Sequence, residues 1–168
     1  MEMTFAEMSL EHIDQVVKIE EASFPTPWSK QAFIYEVLHN SFARYIVALS
    51  DEKVIGYAGE WLILDEAHIT NVAVHPGYRR QGVGRALMLE IMRYSALSGA
   101  TRMTLEVRPS NGAARRLYQS LGFSERGLRR RYYTDTGEDA IIMWHDDLLA
   151  AKARVKVAGC AEGSEQNE

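Results

Sequence analysis

The first forty residues carry the apolar spacing of two amphipathic helices. A helix is predicted within SLEHIDQVVKIEEASF, with Ser9 as its N-cap, and a second within SKQAFIYEVLHN, with Ser29 as its cap. Between them lies FPTPW, whose two prolines exclude a continuous helix and predict a rigid connection. The first helix presents its apolar face through Leu10, Ile13, Val16 and Val17.

The pattern then changes to strands that alternate with helices. Two strands are predicted in ARYIVALSDEKVIGYAGEWLIL, joined at Ser50–Lys53, and a third in AHITNVAV. A helix is predicted from Val83, with Gly99 placed to end it. RMTLEVR predicts another strand and SNGAARRLYQSLGF another helix, while FSERGLRRRYYT and DAIIMWHDDL predict a hairpin around DTGED. This order of elements predicts an α+β fold built as an α/β sandwich.

The predicted elements end near residue 148. A chain of 168 residues is long enough for one domain with its own core and short for two. The remaining residues, which finish GCAEGSEQNE, offer little apolar surface to bury. We therefore expect a single domain over residues 1–148 and a flexible C-terminal tail over residues 149–168.

Composition narrows the class of protein. Asp and Glu (23) outnumber Lys and Arg (19), which argues against a nucleic-acid partner. Cys160 is the only cysteine, so an internal disulfide and a cysteine-rich zinc site are excluded, and we expect no metal. The N-terminal segment MEMTFAEMSLEH does not resemble a signal peptide, and no apolar run approaches the roughly 18 residues of a membrane span. We expect a soluble cytoplasmic protein with no membrane partner.

The segment NVAVHPGYRRQGVGRALM combines a strand, a glycine turn and the start of a helix. The first N–H groups of a helix have no internal partner and, with the helix dipole, attract anions. Gly82 and Gly84 leave the backbone open to a phosphate, and three arginines nearby add positive charge. A P-loop requires Gly-Lys-Ser/Thr, and a dinucleotide fingerprint requires a third glycine where Leu87 stands. From the residues alone, an anion site and a plain tight turn both remain open.

The remaining pattern, Arg79-x-x-Gly82-x-Gly84, resembles the acetyl-CoA pyrophosphate loop of the GNAT family of N-acetyltransferases. ITNVAVHPGYRRQGVGRAL resembles the family's central motif and LEVRPSNGAARRLYQSLGF its second motif. Together with RRRYYTDTGEDAIIM, they are most similar to the branch that acetylates the N-terminal alanine of ribosomal proteins. The resemblance spans about residues 3 to 148. It implies a mixed, mostly antiparallel sheet with a splayed central strand, flanking helices and acetyl-CoA as cosubstrate.

The resemblance also implies which residues hold the cosubstrate. The backbone of the strand before the loop pairs with the pantetheine arm, and the loop N–H groups hold the pyrophosphate. Asn111 contacts the arm, although an asparagine here is equally suited to capping the helix that follows. The cofactor-binding residues implied are Val72, Ala73, Val74, Arg79, Arg80, Gln81, Gly82, Val83, Gly84, Arg85, Asn111 and Tyr118.

Acetyl transfer to an amine needs a base for the amine and an acid for the departing thiolate. Strand alternation places Glu106 on the face opposite Leu105 and Val107, and the resemblance implies that Glu106 is the general base. It implies that Tyr118 is the general acid and that a backbone N–H at the strand bulge polarises the thioester oxygen. An exposed strand glutamate and a core tyrosine are the alternatives. The other candidates are His68 and His75 as rival bases, Glu60 as a residue that holds water or contacts the amine, and Cys160 as a disfavoured nucleophile.

In related N-terminal acetyltransferases the acceptor peptide lies between the first helix connection and the closing hairpin. By that resemblance, Phe24, Pro25 and Trp28 wall a pocket for the first side chain, and Tyr132 and Tyr133 bond the peptide backbone. Core packing is the alternative for Trp28 and Tyr133. We expect direct acetyl transfer, in a ternary complex, to the N-terminal alanine of a small-subunit ribosomal protein. The alternatives are a broader N-terminal, lysine or small-amine acetyltransferase and a non-catalytic acyl-CoA-binding module.

Overall fold

A computed structural model describes residues 1–148; the predicted tail 149–168, with Cys160, lies outside the described residues. A single 3₁₀ turn at Leu10–His12 leads into the first α-helix, where one continuous helix was predicted. The helices are α1 (Ile13–Ser23), α2 (Lys30–His39), α3 (Val83–Leu97) and α4 (Gly112–Ser120). The strands are β1 (Thr4–Glu7), β2 (Ala43–Ser50), β3 (Lys53–Ile63), β4 (Glu66–Val74), β5 (Arg102–Val107), β6 (Ser124–Arg129) and β7 (Ala140–His145).

The strands form one seven-stranded sheet in the order β1-β2-β3-β4-β5-β7-β6. Every neighbouring pair is antiparallel except β4 and β5, which run parallel. This mixed, mostly antiparallel sheet with flanking helices confirms the predicted fold class. The sequence pattern missed β1, since four residues are too few to show alternation; its pairing with β2, from Thr4↔Leu49 to Glu7↔Ile46, creates the strand.

Two apolar cores lie on opposite faces of the sheet. Side chains of α1 and α2 pack on one face around the fully buried Phe33 and Tyr57. On the other face α3 buries Leu87 and Ile91 against the central strands, and the residues that follow α4 add Phe123. Helices on both sides of one sheet make the molecule the sandwich that the sequence predicted.

The sheet divides between β4 and β5. These strands pair at only three positions, from Glu66↔Arg102 to His68↔Thr104, although β4 continues to Val74 and β5 to Val107. The pairing of β3 with β4 shifts register between Gly59↔Asn71 and Glu60↔Ile69, so Thr70 is an extra residue on β4. A bulge of this kind bends its strand, so β4 leaves β5 immediately beyond their pairing. The predicted splayed central strand is therefore confirmed, and the split exposes the backbone of β4 on its β5 side.

Candidate active site

A cavity of about 610 Å³ lies where β4 and β5 diverge. The connection between α1 and α2, the start of α4 and the loop between β6 and β7 complete its walls. Residues from separate predicted segments meet here, which the sequence alone did not establish. Nine predicted site residues line the cavity: Phe24, Pro25, Trp28, Val72, Glu106, Asn111, Tyr118, Tyr132 and Tyr133.

Glu106 projects from β5 into this cavity. Its neighbours Leu105 and Val107 are buried in the core on the opposite face, as strand alternation predicted. The glutamate side chain is 8% exposed, and its Oε2 lies 2.6 Å from His68 Nε2. Its Oε1 is 3.7 Å from an Nη of Arg129 on β6. The carboxylate thus lies between two basic side chains, of which His68 also lines the cavity.

Tyr118 reaches the cavity from α4. Its ring packs against Phe123, with 6.0 Å between ring centroids, and its partly buried side chain joins the core on the α3 side. Burial raises the pKa of the phenol to about 12, so the hydroxyl keeps its proton at neutral pH. No hydrogen bond of this hydroxyl is seen within residues 1–148, and the side chain lines the cavity as a neutral potential donor.

Arg108, at the end of β5, anchors the loop between β6 and β7. Its guanidinium binds Asp135 at 2.7 Å and lies 3.9 Å from the centre of the Tyr133 ring. Hydrogen bonding to Arg108 lowers the pKa of Asp135, so this ion pair persists at neutral pH. The contact holds Tyr132 and Tyr133 over the cavity, with their rings edge-to-face at 5.1 Å.

Glu20 is a cavity residue that the sequence analysis did not identify. It is 2% exposed, and its carboxyl accepts hydrogen bonds from the Trp28 amide at 3.1 Å and from the Tyr57 hydroxyl. Burial raises its pKa to about 7. The sequence did contain a sign of this position, because Glu20 follows Val16 by four residues and therefore lies on the apolar face of α1.

The glycine turn lies outside the cavity, at the start of α3. Gly82 caps the helix in the left-handed conformation, with φ = +80°, and a Cβ there would meet nothing within 4 Å. The first backbone hydrogen bond of α3 runs from Ala86 N to Gly82 O. The N–H groups of residues 83–85 precede this bond and therefore have no partner within the helix. The exposed N-terminus and bare Gly82 match the requirements of a phosphate group.

Two of the three loop arginines are engaged within the protein. Arg79 donates to Val74 O at 3.1 Å and to Ser23 Oγ at 3.2 Å, tying the loop to the ends of β4 and α1. Arg85 donates to Ser120 Oγ at 3.0 Å, on α4. The third, Arg80, is exposed and has a φ of +60°.

The other titratable candidates from the sequence lie in different parts of the structure. His68 lines the cavity, whereas Glu60 and His75 do not. Glu60 is fully buried against Ser95 of α3, and burial raises its pKa to about 7. His75 accepts a hydrogen bond from Gly77 N at 3.0 Å. Of the candidate bases named from the sequence, Glu106 and His68 are therefore the ones that line the cavity, where the buried Glu20 also lies.

Neither a metal centre nor a membrane span emerges from the described part of the chain. Within residues 1–148 no group of three or more His, Cys, Asp or Glu side chains is placed to hold a metal ion. None of the helices in the same range is long and apolar enough to cross a membrane.

Comparison with known proteins agrees with this geometry. The acetyltransferase (GNAT) family profile matches residues 13–123. The chain is 45% identical over 137 residues to a Bacillus subtilis (strain 168) candidate [ribosomal protein bS18]-alanine N-acetyltransferase, covering 82% of this chain and 91% of the relative. It is 39% identical over 144 residues to the Escherichia coli (strain K12) [ribosomal protein bS18]-alanine N-acetyltransferase, covering 83% and 95%.

A solved structure shows the same relationship. The crystal structure of the ribosomal-protein-S18-alanine N-acetyltransferase from Escherichia coli aligns with a TM-score of 0.79 and 36% identity, covering 86% of this chain and 93% of that one. The chain therefore belongs to the acetyltransferase (GNAT) family and is an acetyl-CoA-dependent N-acetyltransferase.

Proposed function

We propose that this enzyme acetylates the N-terminal alanine of a small-subunit ribosomal protein, by direct attack on acetyl-CoA in a ternary complex. The relatives that carry this activity in their names support the substrate class. One observation carries the mechanism: Glu106 on β5 and Tyr118 on α4 line one cavity at the split in the sheet. An acid and a base on the same cavity are what amide formation from a thioester requires.

The split and the glycine turn divide the binding of acetyl-CoA between them. The backbone of Val72, Ala73 and Val74 lies beyond the last β4–β5 pair, where the pantetheine arm can pair with it, although Val74 O already accepts from Arg79. The loop residues take the pyrophosphate through backbone N–H groups at the start of α3, with the exposed side chain of Arg80 nearby. Asn111 caps α4 by accepting from Ala114 N at 3.2 Å and also lines the cavity, a position that supports the proposed contact with the arm. The loop residues proposed are Arg79, Arg80, Gln81, Gly82, Val83, Gly84 and Arg85.

Glu106 and Tyr118 handle the two protons of the reaction. Glu106 takes one from the acceptor amine, whose nitrogen forms the new bond to the acetyl carbon as the C–S bond breaks. Tyr118 gives its phenolic proton to the departing sulfur, which it can do because it is neutral at pH 7. A peptide α-amine has a pKa of roughly 7.7–8.0 against roughly 10.4 for lysine, so a single carboxylate suffices more readily for an N-terminus.

The position of the proposed peptide-binding residues supports binding of an N-terminus. Phe24, Pro25 and Trp28 line the cavity, and so do Tyr132 and Tyr133. The Trp28 ring also packs on Phe33, 5.6 Å away, so its packing role and its role in the wall coincide. The first side chain of the acceptor meets the aromatic wall, while the tyrosine hydroxyls bond the peptide backbone.

A panel of peptides tests the substrate class. The enzyme is incubated with acetyl-CoA and peptides that begin with alanine, serine or methionine, together with a blocked peptide that carries an internal lysine. Mass spectrometry should show acetylation at the α-amine of the alanine peptide first. Equal labelling of all N-termini or of lysine would support the broader acetyltransferase, and acetyl-CoA binding without any product would support the non-catalytic module.

Gly82→Ala is expected to weaken acetyl-CoA binding at least about tenfold, or 1.4 kcal/mol, because the new methyl group lies where the phosphates approach the helix N-terminus. Within the protein this methyl group meets no atom within 4 Å, so the fold has room for it. Calorimetric titration measures the affinity.

Gly99→Ala is the matched control. Gly99 follows the opposite end of α3, also has a positive φ (+99°), and its Cβ would likewise meet nothing within 4 Å. Both variants should lose a similar free energy of unfolding, about 1–2 kcal/mol for a left-handed residue. If Gly82→Ala binds acetyl-CoA as tightly as Gly99→Ala does, the turn is only structural.

A further inference from the structure

Glu106 receives a hydrogen bond from across the base of the split. His68, whose Nε2 lies 2.6 Å from Glu106 Oε2, belongs to the last residue pair of β4 and β5, opposite Thr104. Trp61 meets the imidazole edge-on, 6.2 Å between centroids, and its Nε1 donates to Glu36 Oε2 at 3.0 Å. The imidazole is therefore fixed between an anchored indole and the carboxylate.

The remaining groups around Glu106 do not compete for this role. Arg129 approaches only the other oxygen, Oε1, at 3.7 Å, which is beyond hydrogen-bond distance, and its side chain is 56% exposed. Tyr132 and Tyr133 also face the carboxylate. Burial raises the pKa of both phenols, that of Tyr133 to about 12, so both are neutral at pH 7. Oε2 is thus engaged by His68, and Oε1 remains for the acceptor amine.

We infer that His68 is a positioning residue for the base: its Nε2–H donates to Glu106 Oε2, fixes the plane of the carboxylate and presents Oε1 to the acceptor amine. This inference rests on the proposed role of Glu106. In the step itself an amine N–H bond breaks and an O–H bond forms at Oε1, while the nitrogen bonds to the acetyl carbon, the C–S bond breaks and the departing sulfur takes the proton of Tyr118. His68 keeps its own proton, and both the Nε2–H tautomer and the imidazolium can donate the bond.

Three variants test the inference. His68→Ala removes the donor, whereas His68→Gln supplies an amide N–H at similar reach and does not titrate. His68→Ala should lower kcat about tenfold to a hundredfold, the scale of a displacement of about 1 Å, with KM for both substrates unchanged, and His68→Gln should recover to within about threefold of wild type. His39→Gln, an exposed histidine on α2, is the control and should match wild type.

The pH profile separates positioning from proton transfer. If His68 only donates a hydrogen bond, the acid limb of kcat/KM is the same in wild type and in His68→Gln. A Gln variant as defective as the Ala variant, or one with a displaced acid limb, overturns the inference, because the imidazole itself would then carry the proton. Acetyl-CoA affinity reports folding of each variant; if His68→Ala loses it, His68→Leu, which fills the space beside Trp61 without a donor, takes its place.

Glu106→Gln, measured in parallel, keeps the two proposals apart. Wild-type turnover in Glu106→Gln contradicts the role of Glu106 itself. A defective Glu106→Gln beside a fully active His68→Ala contradicts only the positioning role of His68.

Discussion

Glu106→Gln is expected to lower turnover by roughly 10²–10⁴, the range for loss of a general base. Glutamine keeps the shape of the side chain and an acceptor for the hydrogen bond from His68, 2.6 Å away, but it cannot take the proton of the amine. Acetyl-CoA affinity should stay unchanged, because the residues proposed for the pyrophosphate lie outside this cavity. Steady-state kinetics with an alanine-led peptide, beside calorimetric titration of acetyl-CoA, measure both quantities.

Glu66→Gln is the matched control. Glu66 is a glutamate on β4 that pairs with an arginine, Arg102, but its side chain is 46% exposed and does not line the cavity. An exposed ion pair contributes little to stability, so this variant should retain both fold and turnover. If the two variants are equally active, deprotonation of the amine belongs to solvent or to His68.

Tyr118→Phe is expected to leave stability close to that of wild type while turnover falls by roughly 10²–10⁴, as for a lost general acid. The ring that packs on Phe123 is retained, and the hydroxyl removed has no hydrogen-bond partner within residues 1–148. The matched control is Tyr94→Phe, a partly buried tyrosine on α3 that lies outside the cavity. Thermal unfolding and turnover of the two variants separate packing from acid catalysis.

The acidity of the leaving thiol shows whether Tyr118 donates a proton to the sulfur or only holds the sulfur in place. The thiolate of a more acidic thiol can leave without taking up a proton. A short acyl donor activated in this way should therefore recover much of the rate lost in Tyr118→Phe. Equal defects with acetyl-CoA and with the activated donor would instead indicate a displaced sulfur. In the wild type the Tyr118 phenol stays protonated until the pH rises towards its raised pKa of about 12. Loss of the general acid should therefore cause no fall in activity up to about pH 10.

The sequence by itself determined the elements whose patterns are local. Helix starts at Lys30 and Val83 follow directly from a capping serine and a glycine turn, since a cap acts on N–H groups within a few residues. Alternation in β5 placed Glu106 opposite the buried Leu105 and Val107, because neighbouring strand side chains point to opposite faces. The order of the motifs along the chain then indicated the family, and the family implied the splayed strand.

Only the tertiary structure decided which of these residues meet. His68 and Glu106 are 38 positions apart, and their contact depends on the register of three residue pairs between β4 and β5. Arg79 is tied to Ser23, 56 positions away, although its position in the loop motif indicated only a phosphate. Glu20 is buried at the cavity by the packing of α1 on the sheet, although glutamate is by type a surface residue. Local spacing fixes the direction in which a side chain points, whereas its partner, its burial and hence its pKa depend on chain segments that packing brings beside it.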